Sequence, residues 1–149
     1  LVANVANTFV LKVEKYGGTM DIDLQATESD IYVDEMHITN VLFNLMDNAV
    51  KYRRPEVPLT LMARTWNENG KLLISVEDNG IGIKKEYLKK VFDRFFRVPT
   101  GNKHDVKGFG LGLAYVRKII EDHKGSIRAE QGNNNIGTKF IITLPLIKS

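Results

Sequence analysis

Apolar residues recur at helical spacing through residues 2–13, where Val2, Val5, Ala6, Phe9, Val10 and Val13 share one face. Gly17 and Gly18 stop that helix. From Met20 to Gln25 the pattern switches to alternation, with Ile22 and Leu24 set between polar residues, which predicts a short strand. Helical spacing returns over residues 34–52. Strands are predicted over 57–66 and 71–78, joined by the run Asn67 to Gly70, which is rich in residues that tolerate positive φ. A short helical stretch covers 84–92. Residues 93–110 show no period and carry Pro99, Gly101, Gly108 and Gly110, a connection long enough to suggest a functional lid. A third long helix spans 111–123, with Leu113, Val116, Ile119 and Ile120 on one side, and strands over 125–130 and 137–145 finish the chain. Strands come both in hairpins and across helices, so the sheet is expected to be mixed. The expected fold is α/β: a two-layer open sandwich, with about three helices on one face of an about five-stranded sheet.

Composition narrows the chemistry. A chain of 149 residues suits one domain and can bury roughly two thirds of its unfolded surface, so it needs no staples. It has no cysteine, which excludes thiol chemistry, iron–sulfur clusters and cysteine zinc sites. With 43% hydrophobic and 26% charged residues, it resembles neither a disordered nor a fibrous chain. The net charge of +3 is spread along the chain apart from the lysines between Lys84 and Lys90, too weak a signal for nucleic acid. No apolar run reaches the roughly 20 residues of a membrane span. Leu1 opens the chain in place of Met and the first residues read as mid-helix, so the expectation is one domain over 1–149 cut from a longer protein, with 1–16 as a joining helix.

The second helix carries an asparagine row. At 100° per residue, Asn40, Asn44, Asp47, Asn48 and Lys51 fall within an arc of about 100°, opposite Leu42, Leu45, Met46, Ala49 and Val50. Asparagine is a poor helix former because its side chain competes for backbone hydrogen bonds, so three at i, i+4 and i+8 need a reason. One reason is a row of oxygens for a hard cation such as Mg²⁺, with Lys51 one turn on for a phosphate; the other is a solvent-facing polar stripe.

Two glycine segments follow. Strand 71–78 ends in Asp78, then Asn79, Gly80, Ile81, Gly82 and Ile83. A carboxylate there can accept a hydrogen bond from an exocyclic amine while the glycines let a flat ring approach the backbone; a plain Asp-Asn-Gly turn is the alternative. Gly108, Gly110 and Gly112 run into the third helix, where backbone N–H groups form an anion site. The pattern is neither the dinucleotide fingerprint nor a P-loop, and it lacks the catalytic loop of protein kinases. His37, His104 and His123 show no metal-ligand spacing, and no serine sits in a nucleophile elbow.

Taken together, these segments resemble the ATP-binding domain of sensor histidine kinases, within the superfamily that includes gyrase, heat-shock chaperone and mismatch-repair ATPases. Asn44 to Tyr52 resembles the asparagine box, Asp78 to Ile83 the first glycine box, Phe92 to Arg97 the phenylalanine box, and Gly108 to Leu113 the second glycine box. Gly137 to Phe140 resembles the last short motif. Anti-sigma serine kinases share the fold but generally lack the phenylalanine box.

The resemblance implies roles. Asp78 would accept from the adenine amino group with Thr138 nearby, and Tyr52 would pack near the adenine beside Gly80, Gly82 and Ile83. Asn48, helped by Asn44, would hold Mg²⁺. Lys51 and Arg97 would meet phosphates, and Gly108, Gly110, Leu111, Gly112 and Leu113 would line the phosphate side. Residues 93–110 would form the ATP lid, in which Lys103 and Lys107 reach the triphosphate or serve solubility. Hydrolysing members carry a glutamate at the position of Asn44; a neutral amide is no general base, so transfer to another acceptor is expected over hydrolysis. No histidine here sits in the phosphoacceptor context, so the acceptor would lie on a separate dimerisation domain of the same parent protein, with a response regulator downstream. The parent would be a homodimer and this piece a monomer, binding no nucleic acid. It would be a cytoplasmic domain, with anchorage of the parent in the inner membrane left open. An ATP-gated conformational ATPase of the gyrase or chaperone kind is the alternative.

Overall fold

The apolar periodicities fold into three helices and five strands. The structure, a computed structural model, describes residues 2–15, 17–26, 34–93 and 111–146. Helix α1 spans Val2–Lys15, α2 Glu35–Lys51 and α3 Leu111–Asp122. The strands are β1 Thr19–Leu24, β2 Thr60–Glu68, β3 Lys71–Asp78, β4 Ser126–Gln131 and β5 Thr138–Pro145. They form one sheet in the order β1-β2-β3-β5-β4, with β1 parallel to β2 and the other pairs antiparallel. The parallel pair needs a crossover, which α2 supplies. None of the described helices is long and apolar enough to cross a membrane.

Helices cover one face only. In β3, Leu72, Ile74 and Val76 belong to the core, whereas Leu73 lies outside that cluster. Alternation therefore turns Leu72, Ile74, Val76 and Asp78 toward the helices and Leu73, Ser75 and Glu77 toward the bare face. In β5, Phe140, Ile142 and Leu144 join the core, and the same parity puts Thr138 on the helix side. Phe9, Leu42, Leu45, Met46, Val116 and Ile120 fill the space beneath, each at most 1% exposed. Phe92 packs edge-on against Phe140, ring centroids 6.2 Å apart, so the start of the phenylalanine box anchors in the core.

Three sequence expectations shift. The hairpin turn is tighter: Glu68 pairs with Lys71, leaving Asn69 (φ 53°) and Gly70 (φ 73°) as a two-residue loop. Strand β2 starts at Thr60, because Pro58 has no N–H and the amide of Asn79 takes up the backbone there: Thr60 N–H donates to its Oδ1 at 2.8 Å, and its Nδ2 donates to Pro58 O at 2.9 Å. Residues 84–92 form two short 3₁₀ turns, Lys85–Tyr87 and Lys90–Phe92, in place of one helical stretch. Each is held by i→i+3 bonds, and the second buries Val91 and Phe92.

Candidate functional site

Helix α2 begins at Asp34, whose Oδ1 accepts from His37 N–H at 3.1 Å. Its asparagine row runs from solvent into the protein: Asn40 is exposed, Asn44 half-buried, and Asn48 only 7% exposed. The Asn48 Nδ2 meets no acceptor among the described residues. An orphaned buried donor costs about 1–3 kcal/mol, so a plain solvent stripe does not account for Asn48.

Asp47, on the edge of the same arc, links helices. It lies 3.0 Å from Lys51 Nζ and 3.3 Å from Lys12 Nζ of α1. Partial burial pushes its carboxyl up, but hydrogen bonds and charge from Lys51 and Lys12 outweigh that and hold it below its usual range. A phosphate at Lys51 would therefore share this lysine with Asp47.

The end of α2 abuts the loop after β3. Tyr52 is buried, and its carbonyl accepts from Ile81 N–H at 3.0 Å. Asp78 closes β3 with its Oδ1 accepting from Gly80 N–H at 2.8 Å and Thr138 N–H at 3.3 Å. No described group bonds its Oδ2. Burial is the largest influence on this carboxyl and pushes it up to about 6, against the lowering effect of those two N–H groups and with a small push from the charge of Glu77. Gly82 (φ 76°) and Gly137 (φ 73°) face each other beside it. A Cβ on Gly82 would stand 3.1 Å from Gly137 O, and one on Gly137 would run into Asp78 O. Both positions need a glycine's conformation and its bareness.

The structure thus gathers Asn48, Tyr52, Asp78, Gly80, Gly82 and Thr138 around the joint between α2 and the loop after β3. Ile83 and Leu113 are core residues behind that wall. Gly112 lies in the first turn of α3, where a Cβ would meet nothing within 4 Å among the described residues. Packing does not demand glycine there, although glycine costs a helix about 1 kcal/mol. Arg97, Gly108, Gly110, Lys103, Lys107 and most of the 93–110 lid lie outside the described residues, as does the side chain of Leu111. His123 is satisfied as a structural histidine: Nδ1 lies 2.7 Å from Ile119 O and Nε2 accepts from Asp34 N–H at 2.9 Å.

A different cavity lies on the bare face. It encloses about 810 Å³ and is lined by Asp21, Met62, Arg64, Glu77, Glu130 and Lys139 among others. Asp78 reaches its wall, but neither Asn44, Asn48 nor Gly82 does. It holds cations and carboxylates in mixture and takes in none of Asn44, Asn48, Gly80 or Gly82, so the joint between α2 and the loop after β3 remains the candidate. Sequence reading passed over Asn79 as a turn residue and did not single out Glu77, which reaches Asn133 in the turn before β5. The run Gly132 to Gly137, with three consecutive asparagines, was the available signal for that turn.

The oxygen donors suit a magnesium nucleotide. Asn44 and Asn48 offer neutral amide oxygens one helical turn apart, and the described residues hold no cluster of three or more His, Asp or Glu able to cage a metal alone. Mg²⁺ commonly takes few protein ligands alongside phosphates and waters, and the free Asn48 Nδ2 could serve a phosphate oxygen.

Comparison with known proteins identifies the family. Residues 33–148 match the family described as histidine kinase-, DNA gyrase B-, and HSP90-like ATPase. The chain is 69% identical over its full 149 residues to the sensor protein RprX of Bacteroides fragilis, of which it spans 28%. The catalytic domain of histidine kinase ThkA superposes with a TM-score of 0.76 at 31% identity, covering 97% of this chain and 90% of that one. ThkA bound to the response regulator protein TrrA gives 0.76 at 26% identity, over 98% of this chain and 39% of that one. With the mixed sheet, its three covering helices and these likenesses in accord, the chain belongs to the histidine kinase-, DNA gyrase B- and HSP90-like ATPases, as a catalytic domain of the sensor histidine kinase kind.

Proposed function

We propose that this domain binds Mg²⁺–ATP at the joint between α2 and the loop after β3 and donates the γ-phosphoryl group to a histidine on a separate dimerisation domain of its parent protein. The observation that carries the reading is Asp78: a half-buried carboxylate, fixed through Oδ1 by two N–H groups, with Oδ2 left for a donor such as the adenine amino group. At neutral pH a carboxyl with a pKa of about 6 is mostly ionised and accepts. Thr138 and Tyr52 flank the base, with Gly80, Gly82 and Gly137 allowing ring approach. Asn48 and Asn44 hold Mg²⁺, which when bound neutralises phosphate charge. Lys51, Arg97, Gly110 and the amides of Leu111 and Gly112 that open α3 receive the phosphates. Asn44 is no general base, so water is a poor acceptor and the phosphoryl group is kept for the histidine.

The domain organisation follows the same reading. The chain is one module of a larger homodimeric kinase, with α1 as its join to the dimerisation domain and residues 93–110 as its lid. The module faces the cytoplasm and passes its phosphate on through a response regulator; the pairing of ThkA with TrrA supports that route.

Calorimetry with Mg²⁺ and a non-hydrolysable ATP analogue tests the site. Asp78→Asn and Asn48→Ala are expected to lose binding while remaining folded, and unchanged affinity in both would remove the assignment. Incubation with an upstream histidine hairpin and radiolabelled ATP is expected to give acid-labile, base-stable label on the hairpin. Rapid steady-state hydrolysis by the chain alone would point to a conformational ATPase instead.

A further inference from the structure

The turn before β5 is built under strain. Asn134 (φ 57°), Asn135 (φ 61°) and Gly137 (φ 73°) all take the left-handed conformation, two of them with a side chain. Internally it is tied by Asn135 N–H to Gly132 O at 2.9 Å, Ile136 N–H to Asn133 O at 3.1 Å and Gly132 N–H to Gly137 O at 3.1 Å. Its external ties come from two successive residues of β3 that point to opposite faces. On the helix side, Asp78 Oδ1 accepts from Thr138 N–H. On the bare side, Glu77 Oε2 accepts from Asn133 N–H at 2.9 Å. Between them, Gly137 lies too near the Asp78 carbonyl to carry a Cβ, and a Cβ on Gly82 would crowd Gly137 O.

We propose that Glu77 is a positioning residue for nucleotide binding: from the bare face its carboxylate pins the 132–137 turn, and so fixes the Gly137–Thr138 wall against which Asp78 reads the base. This rests on the functional reading above. A charge-assisted bond to a turn's first free N–H is a strong anchor for a strained loop. Released, the turn would relax toward right-handed conformations and carry Thr138 away from a bond that is already long.

Glu77 is free for this task. Its cross-strand neighbours are Met62 on β2 and Lys139 on β5. The Lys139 ammonium lies 6.0 Å over the Trp66 ring, and Glu77 has no ion pair among the described residues. Arg64 lies toward Asp23, 3.6 Å away, and Glu130 pairs with Arg128 at 2.9 Å. The charge of Glu77 also acts on Asp78 through the strand, raising it.

Two variants of the chain separate anchor from charge. Glu77→Ala loses both; Glu77→Gln keeps an acceptor and loses the charge. Calorimetry with a magnesium ATP analogue is expected to give about tenfold weaker binding for the alanine variant at pH 8 and near wild-type binding for the glutamine variant. Amide exchange at Asn133 and Thr138 is expected to speed up in Glu77→Ala only. The midpoint of Asp78 titration by carboxyl NMR, and of the pH profile of binding, is expected to move to lower pH in Glu77→Gln. Wild-type affinity together with wild-type Thr138 exchange in Glu77→Ala overturns the proposal. Should that variant not fold, Glu77→Asp, whose shorter arm withdraws the carboxylate from Asn133 N–H, takes its place, and wild-type affinity together with wild-type Thr138 exchange there overturns the proposal. If the wild-type chain binds no adenine nucleotide, the functional reading fails by itself, and amide exchange at Asn133 and Thr138 still decides the anchoring.

Discussion

Asp78→Asn should stabilise the protein while destroying its site. In the folded chain burial lifts this carboxyl from 3.8 to about 6. At roughly 1.36 kcal/mol per pH unit, keeping it ionised above pH 7 costs about 3 kcal/mol. The folded value lies above the unfolded one, so folding favours the protonated form. The protonated form's contribution is fully present below about pH 4 and is lost as pH rises through about 6. An asparagine keeps an oxygen for Gly80 and Thr138 N–H and carries no charge, but it places a new amine where Oδ2 stood, returning about 1 kcal/mol. The expected net gain at pH 8 is therefore about 1–2 kcal/mol, a rise in Tm of roughly 2–8 °C for a domain of this size. Urea melts of both proteins at pH 4.5, 6, 7 and 8 check it: the gap should open with rising pH and level off above pH 7. A variant that is no more stable at pH 8, with a gap independent of pH, would refute the burial argument. Nucleotide binding should be lost in the same variant, since an amine faces the donor that Oδ2 is to accept.

Other changes test other parts. Asn48→Ala removes the cost of an orphaned amide but leaves a void where a buried side chain packed, so the two offset and stability should move by less than about 1 kcal/mol while Mg²⁺-dependent nucleotide affinity falls at least tenfold; urea melts and calorimetry read the two separately. Gly137→Ala puts a Cβ into the Asp78 carbonyl at positive φ and should cost at least about 2 kcal/mol in a melt, along with nucleotide binding. Leu42→Ala, with Leu42 fully buried beneath the sheet, should cost about 2–5 kcal/mol without touching the site of any folded fraction.

Much of this was legible in the sequence because it is local. The helix of Val5, Phe9 and Val13 and the alternation through β3 and β5 follow from periodicity, and the mixed sheet from how those elements alternate. The asparagine row was legible as an arc, but its gradient from exposed Asn40 to buried Asn48 was not, since depth depends on what α2 packs against. Long-range ties were equally hidden. Lys12 meets Asp47 across 35 positions, and Glu77 meets Asn133 across 56. Turn detail failed for a smaller reason: Asn67 and Glu68 read as turn residues, yet cross-strand pairing with Lys71 and Leu72 holds them in β2.

Strands β3 and β5 lie side by side although Asp78 and Thr138 are 60 positions apart. The intervening chain runs through α3 and the edge strand β4 before it returns to the spot it left, where Asp78 accepts from Thr138 N–H. The cost of closing a connection grows only slowly with its length, so changes in length between Asp93 and Leu111, outside the core helix and the strand, leave the frame intact. Sequence drift along that connection can thus proceed without disturbing the Asp78–Thr138 closure on which the proposed site depends.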